Sequence, residues 1–128
     1  MIFINKLGYL AQRKKVEIND RGKEIEYFEK PFSFYSRYMP LEEETSLKDY
    51  GIDIYKILRV YLNVNEWYGK IKENDRAYLI NSTTSENDIV EMVKNSNEFC
   101  TNANYRVKTV AVQNFKLKVE FEKIGEGE

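Results

Sequence analysis

The chain has 128 residues, 42% hydrophobic and 32% charged, with a formal net charge of -1. That size and composition suit one globular domain with a single core, and the near-neutral balance excludes nucleic-acid binding through bulk charge. The chain has no histidine and one cysteine, Cys100, which excludes His-assisted nucleophiles, Cys-rich zinc sites and an intrachain disulfide.

Residues 1–15 read as an N-terminal strand or arm ending in the basic run Arg13-Lys14-Lys15. The apolar start precedes the positive charges, the reverse of a signal peptide. No apolar run approaches the ~20 residues a membrane-spanning helix needs. Val16 and Ile18 alternate with Glu17, Asn19-Asp20-Arg21-Gly22 has hairpin-turn chemistry, and Ile25, Tyr27 and Phe28 form the returning strand. Pro31 demotes its local run to an edge, a bend or a strand start. Phe32, Phe34 and Tyr35 begin another extended piece, which Pro40 ends.

Residues 41–51 change character. Glu42, Glu43, Glu44 and Asp49 face a single opposing charge, Lys48, without periodicity, so a loop with at most one helical turn is expected. Consecutive glutamates do not converge on one point, which argues for solvated charge rather than a cation site. Residues 52–64 fit both a helical stripe and strict alternation, and their β-branched and aromatic content favours a strand. Gly69 breaks the segment, Glu73-Asn74-Asp75 makes a turn, and a short strand spans residues 76–80.

Residues 81–104 are an Asn-rich excursion between strands. Ser85 with Asp88 approximates a capping box, and Ile89, Val90 and Val93 give a short apolar helix face. The Asn81-Ser82-Thr83 sequon reads as chance. Cys100 beside Phe99 reads as a small buried or half-buried thiol rather than a nucleophile. Residues 105–124 then carry a hairpin. Phe115, Leu117, Val119 and Phe121 are its candidate core face, Lys116, Lys118, Glu120 and Glu122 its polar face, and Gln113-Asn114 the turn. Tyr105, Val107 and Thr109 alternate with Arg106 and Lys108 on the preceding strand. Many short strands separated by turns predict a mainly β single domain over residues 1–128, a small antiparallel β-barrel or sandwich with long loops and at most short helices.

No catalytic, cofactor-binding or metal-ligating residue is assigned. The six glycines are scattered, so no phosphate loop exists, and an enzyme is not expected. Lys116 with Lys118, and Arg106 with Lys108, share strand faces, but Glu120 and Glu122 continue the first stripe and weigh against nucleic-acid binding.

Four stretches in order, YFEKPFSFYSR, DYGIDIYKILRVYL, GKIKENDRAYL and NANYRVKTVAVQNFKLKVEFEKI, resemble the head-tail connection proteins of tailed bacteriophages, of the head-closure or stopper type, over roughly residues 16–124. The resemblance implies a structural protein made in the bacterial host cytoplasm and sited in the virion neck. It would form a homo-oligomeric ring, expected to be a dodecamer, without cofactors or membrane contact. The portal-adaptor ring would lie above it and a tail terminator or tail-joining protein below, with packaged DNA passing through the channel without sequence-specific binding. In such a ring Glu42, Glu43, Glu44 and Asp49 become a candidate channel or inter-subunit loop, because a negative surface lets DNA slide without sticking. Residues 81–104 are the next candidate. A second class stands beside it: a cellular β-barrel binding module for an oligosaccharide, a peptide or single-stranded nucleic acid.

Overall fold

A computed structural model describes residues 6–40, 57–81 and 83–124. Alternating strands and tight turns give β1 (Lys6–Ala11), β2 (Arg13–Ile18), β3 (Glu24–Phe28), β4 (Phe32–Ser36), β5 (Tyr38–Pro40), β6 (Ile57–Asn63), β7 (Arg76–Leu79), β8 (Tyr105–Gln113) and β9 (Lys116–Lys123). Among the described residues two short helices interrupt them, α1 (Val64–Trp67) and α2 (Glu86–Lys94). The expectation of a mainly β, antiparallel fold with short helices therefore holds.

Seven strands form one antiparallel sheet in the order β4-β1-β7-β8-β9-β6-β5, and β2-β3 is a separate two-stranded ribbon. The two edges of the sheet, β4 and β5, are consecutive in the chain and separated only by Arg37. One residue spans only a few ångströms, so the sheet must roll until its edges approach each other. Among the described residues the hydrogen-bond ladder does not close into a barrel. Instead Trp67, just past β6, packs on β4, stacked with Phe32 at 6.1 Å and edge-on to Phe34 at 5.3 Å. Pro31 precedes edge strand β4 and Pro40 ends edge strand β5, and neither has the N–H an interior ladder would need.

Alternation sends one side of each strand into the roll. Leu10, Phe34, Leu58, Val60, Leu62, Ala77, Leu79, Tyr105, Val107, Leu117, Val119 and Phe121 form the inner core with Ile71. The outer face of β1 and β7 is buried too. Leu7, Ala11 and Tyr78 pack there with Phe28, Ile89, Cys100 and Ala103, under α2 and the loop after it. Of the two readings of the N-terminus, strand or arm, residues 6–11 take the strand: β1 is bonded to β4 on one side and β7 on the other.

The closing hairpin holds, with two corrections. Leu117, Val119 and Phe121 are at most 1% exposed, but Phe115 is 93% exposed. The register pairs Gln113 with Lys116, so the turn residues are Asn114 and Phe115, at φ 52° and 64°. Phe115 falls one step outside the strand, where alternation no longer applies. On β8 the register shifts between Val107 and Thr109. That irregularity reverses which residues face inward, so Thr109 lies opposite Glu120, and Val110, opposite Val119, packs on the core.

The Asn-rich excursion is fastened by its own amides. Ser85 and Asp88 form the expected capping box of α2, and Ile89 is fully buried. Asn104 accepts from the Leu79 N–H at 3.0 Å and donates to the Leu79 carbonyl at 2.8 Å, standing in for a strand partner. Asn81 Nδ2 donates to the Tyr105 hydroxyl at 3.0 Å, giving the first residue of the sequon an internal role.

Candidate functional site

The acidic candidates Glu42, Glu43, Glu44 and Asp49 lie outside the described residues. Their anchorage is described. β5 leads into the segment and β6 leads out, and the two are antiparallel neighbours with Pro40 opposite Leu58. The segment therefore begins and ends side by side on one strand pair. β1, β7, β8, β9 and β6 are successive antiparallel neighbours, so β1 and β6 run the same way. The acidic segment precedes β6, so it is tied to the end of the sheet opposite the C-terminal end of β1.

That opposite end carries a cationic cleft. Arg13, Lys14 and Lys15 on β2 face Lys70 and Lys72 of the turn before β7 across two adjoining open concavities. A bulge between Arg13 and Lys15 breaks the β2-β3 register there. Asp75, 3% exposed, ties the two walls together. Its Oδ1 accepts from the Arg13 N–H at 2.8 Å and its Oδ2 from the Lys72 N–H at 2.9 Å. Gln12 Nε2 adds a bond to the Lys70 carbonyl at 2.7 Å. Burial pushes the Asp75 carboxyl above its usual range, while the two amides and the Arg13 and Lys72 charges pull it down. The sequence marks Asp75 as a turn residue, and it is one. Nothing in the linear sequence shows that it also holds β2.

The cleft is not a pure cation surface. Arg13 is paired to Glu26 at 3.0 Å and Lys15 to Glu17 at 3.1 Å, and Glu29 and Glu73 line the same concavities. Glu26 also accepts from Arg76 Nη2 at 2.8 Å, so it links the ribbon to the sheet.

Glu120 and Tyr78 are further buried groups with polar atoms. Glu120, 2% exposed, accepts from Arg59 Nε and Nη2 at 3.1 and 2.7 Å and from the Thr109 hydroxyl at 3.0 Å. A buried ion pair with this many hydrogen bonds fixes cross-strand geometry. Tyr78 donates to Asn102 Oδ1 at 2.9 Å beneath α2, near Cys100. Burial pushes both the phenol and the thiol up, which keeps them protonated and poorly nucleophilic at neutral pH. Among the described residues no group of three or more Cys, Asp or Glu side chains is placed to hold a metal ion.

Compared with known proteins, the chain matches no family model, no curated protein and no solved structure.

Proposed function

We propose that this chain is a structural subunit of a tailed-phage neck, a head-closure or stopper-type connector that acts through its surfaces. The observation that carries the reading is the anchorage of the acidic segment. A rolled sheet with a core on its inner face holds both ends of a stretch rich in Glu42, Glu43, Glu44 and Asp49 on one strand pair. Repeated around a ring axis, that stretch makes a collar of negative charge at one end of each subunit, which repels phosphates and leaves DNA free to slide. The four stretches that resemble connectors support the same reading. Their described parts fall in chain order on β3-β4, on β6, on β7 with the turn before it, and on the β8-β9 hairpin. In this role the chain sits between the portal-adaptor ring and the tail-joining proteins, in a homo-oligomeric ring.

The test replaces Glu42, Glu43 and Glu44 with Gln together and measures genome retention and infectivity of assembled particles. Leaking or ejection-defective particles are expected. Particles in which the chain is absent from the neck overturn the assignment, and unchanged retention and ejection remove the segment from it.

A second reading, a binding module for single-stranded nucleic acid, has the cleft of Lys14, Lys70 and Lys72 in its favour. The carboxylates that share the cleft set it below the first.

A further inference from the structure

β2 has one edge bonded to β3 and, among the described residues, one edge that meets no strand. All six of its residues are exposed, the apolar Val16 and Ile18 included. A two-stranded ribbon is marginal in water, and further strands complete it. The base of the open edge is already engaged. The Arg13 N–H donates to Asp75, and the bulge between Arg13 and Lys15 breaks the regular ladder. The regular part of the edge therefore runs from Lys15 to Ile18.

The turn fixes which backbone groups this edge offers. The Asn19 N–H donates to the Lys23 carbonyl at 2.9 Å, so these two residues close the ribbon as a hydrogen-bonded pair. Along an antiparallel ladder such pairs alternate with non-hydrogen-bonded ones. Ile18 with Glu24, and Val16 with Glu26, are then non-hydrogen-bonded pairs. The N–H and C=O groups of Val16 and Ile18 point away from β3, and an added strand must bond to them.

A second β2, laid antiparallel along the edge, meets that condition with Val16 opposite Lys14, Val16 or Ile18 of the other copy. Val16 opposite Lys14 sets Lys15 against Lys15. Val16 opposite Ile18 sets Glu17 against Glu17. Like charges directly opposite one another are destabilising. With Val16 opposite Val16, Lys15 lies across from Glu17 twice and Lys14 lies across from Ile18, so no like charges meet. The Lys15–Glu17 ion pair at 3.1 Å puts both side chains on one face of the strand. The two-fold axis adds the same pair in reverse, and each cation then has an anion beside it and another across from it. Val16 and Ile18 of both copies share the opposite face.

We infer that β2 pairs antiparallel with β2 of a second copy of this chain, Val16 opposite Val16, in a four-stranded sheet of the order β3-β2-β2-β3. A second copy is the occupant because the edge carries its own charge complement in the one register its backbone groups and charges both allow. The contact is isologous and closes on itself as a dimer. It is separate from the heterologous contacts that a ring needs, and it does not rest on the neck reading.

The full chain and its variants Lys15→Cys, Val16→Cys and Glu17→Cys are oxidised in a glutathione buffer over a concentration series. Only the residue on the two-fold axis meets its own counterpart, at a Cα separation of about 5.5 Å, within reach of a disulfide. Disulfide-linked dimer is therefore expected chiefly in Val16→Cys and to rise with concentration. The unsubstituted chain should give none, because Cys100 is buried. In sedimentation equilibrium the unsubstituted chain should show a weak monomer-dimer equilibrium, since two short strands make a small interface. Lys15→Glu and Glu17→Lys should each weaken it by about ten-fold, and the double variant should restore it, because the pairs are reciprocal. A folding defect cannot imitate that restoration. Equal cross-linking at the three positions, stronger cross-linking at residue 15 or 17, no dimer up to the solubility limit, or charge reversals without effect overturn the pairing and leave the neck assignment standing. Absence of the chain from tailed particles overturns the neck assignment and leaves the pairing standing.

Discussion

The two hairpins β2-β3 and β8-β9 are written in similar grammar and end in different places. Both alternate apolar and charged residues, and both turn at an asparagine. β9 lies between β8 and β6, and its apolar side forms the inner core. β2 is exposed along its whole length, with Ile18 71% exposed, and among the described residues β3 is its only strand partner. Alternation states that a strand has two faces. It does not state what covers them, because coverage comes from neighbours distant in sequence. A lone two-stranded ribbon is marginal in water, so β2-β3 depends on the fastening of its base: the buried Phe28, the Phe28 N–H to Glu98 carbonyl bond at 2.7 Å, and Asp75.

Truncation at matched positions should give the largest contrast. Leu117→Ala empties a site 1% exposed and is expected to cost about 2–5 kcal/mol. Ile18→Ala, on the exposed ribbon, should stay within about 0.5 kcal/mol. Denaturant titration of both variants checks the pair, and equal losses would mean that β2 is covered in solution.

Asp75→Asn comes next, because it acts on the joint between ribbon and sheet. The new amide nitrogen cannot accept from the Arg13 or Lys72 N–H, so a loss of about 1–3 kcal/mol is expected. The pH dependence has a definite sign. Burial raises the folded-state pKa of Asp75 above 3.8, so the group's contribution to stability is fully present below that value. It is lost as pH rises through the folded pKa. The margin of wild type over Asp75→Asn should therefore be widest in acid and shrink toward neutrality. Unfolding curves of both proteins at several pH values read it, and a margin that grows with pH would contradict the assignment.

The smallest effect separates the two turns. Gly22 sits at φ 75° with open space where a Cβ would project, so Gly22→Ala adds backbone strain without a clash and should cost about 1–2 kcal/mol. Thermal melts measure it. A neutral Gly22→Ala would show that the ribbon turn relaxes into another geometry.

Much of this fold is legible where the cause is local. The Asn19-Gly22 turn, the capping box at Ser85 and Asp88, the Leu117-Val119-Phe121 face and the strand over residues 57–63 each follow from a few neighbouring residues. Other features depend on contacts across the chain. The interior place of β1 depends on β7 arriving beside it. The cationic cleft depends on one buried carboxylate bonding amides at positions 13 and 72. The irregularity on β8 reverses the inward set after Val107, and nothing in the alternating sequence marks it. Residues 81–104 read as an Asn-rich excursion between strands, with no internal role for the asparagines, whereas Asn102 and Asn104 bond Tyr78 and Leu79. An amide that donates and accepts can replace a missing strand partner, and composition alone does not distinguish that use from hydration.

The position of β1 also sets the order in which the molecule can be assembled. Of the described strands β1 is made before the others but is completed by β7, and β6 waits for β9, with Ile57 opposite Glu122. The ribbon and the β8-β9 hairpin can close early over short loops, whereas the β1-β7 and β6-β9 pairings must first enclose long stretches of chain. Such non-local topology places refolding in the millisecond-to-second range, and stopped-flow recovery of Trp67 fluorescence reports it because that ring packs where the edge strands approach. Full recovery on the microsecond scale would contradict this order. Until β7 is made, β1 has an open edge, so a stalled or truncated chain should be more prone to edge-to-edge aggregation than the finished one.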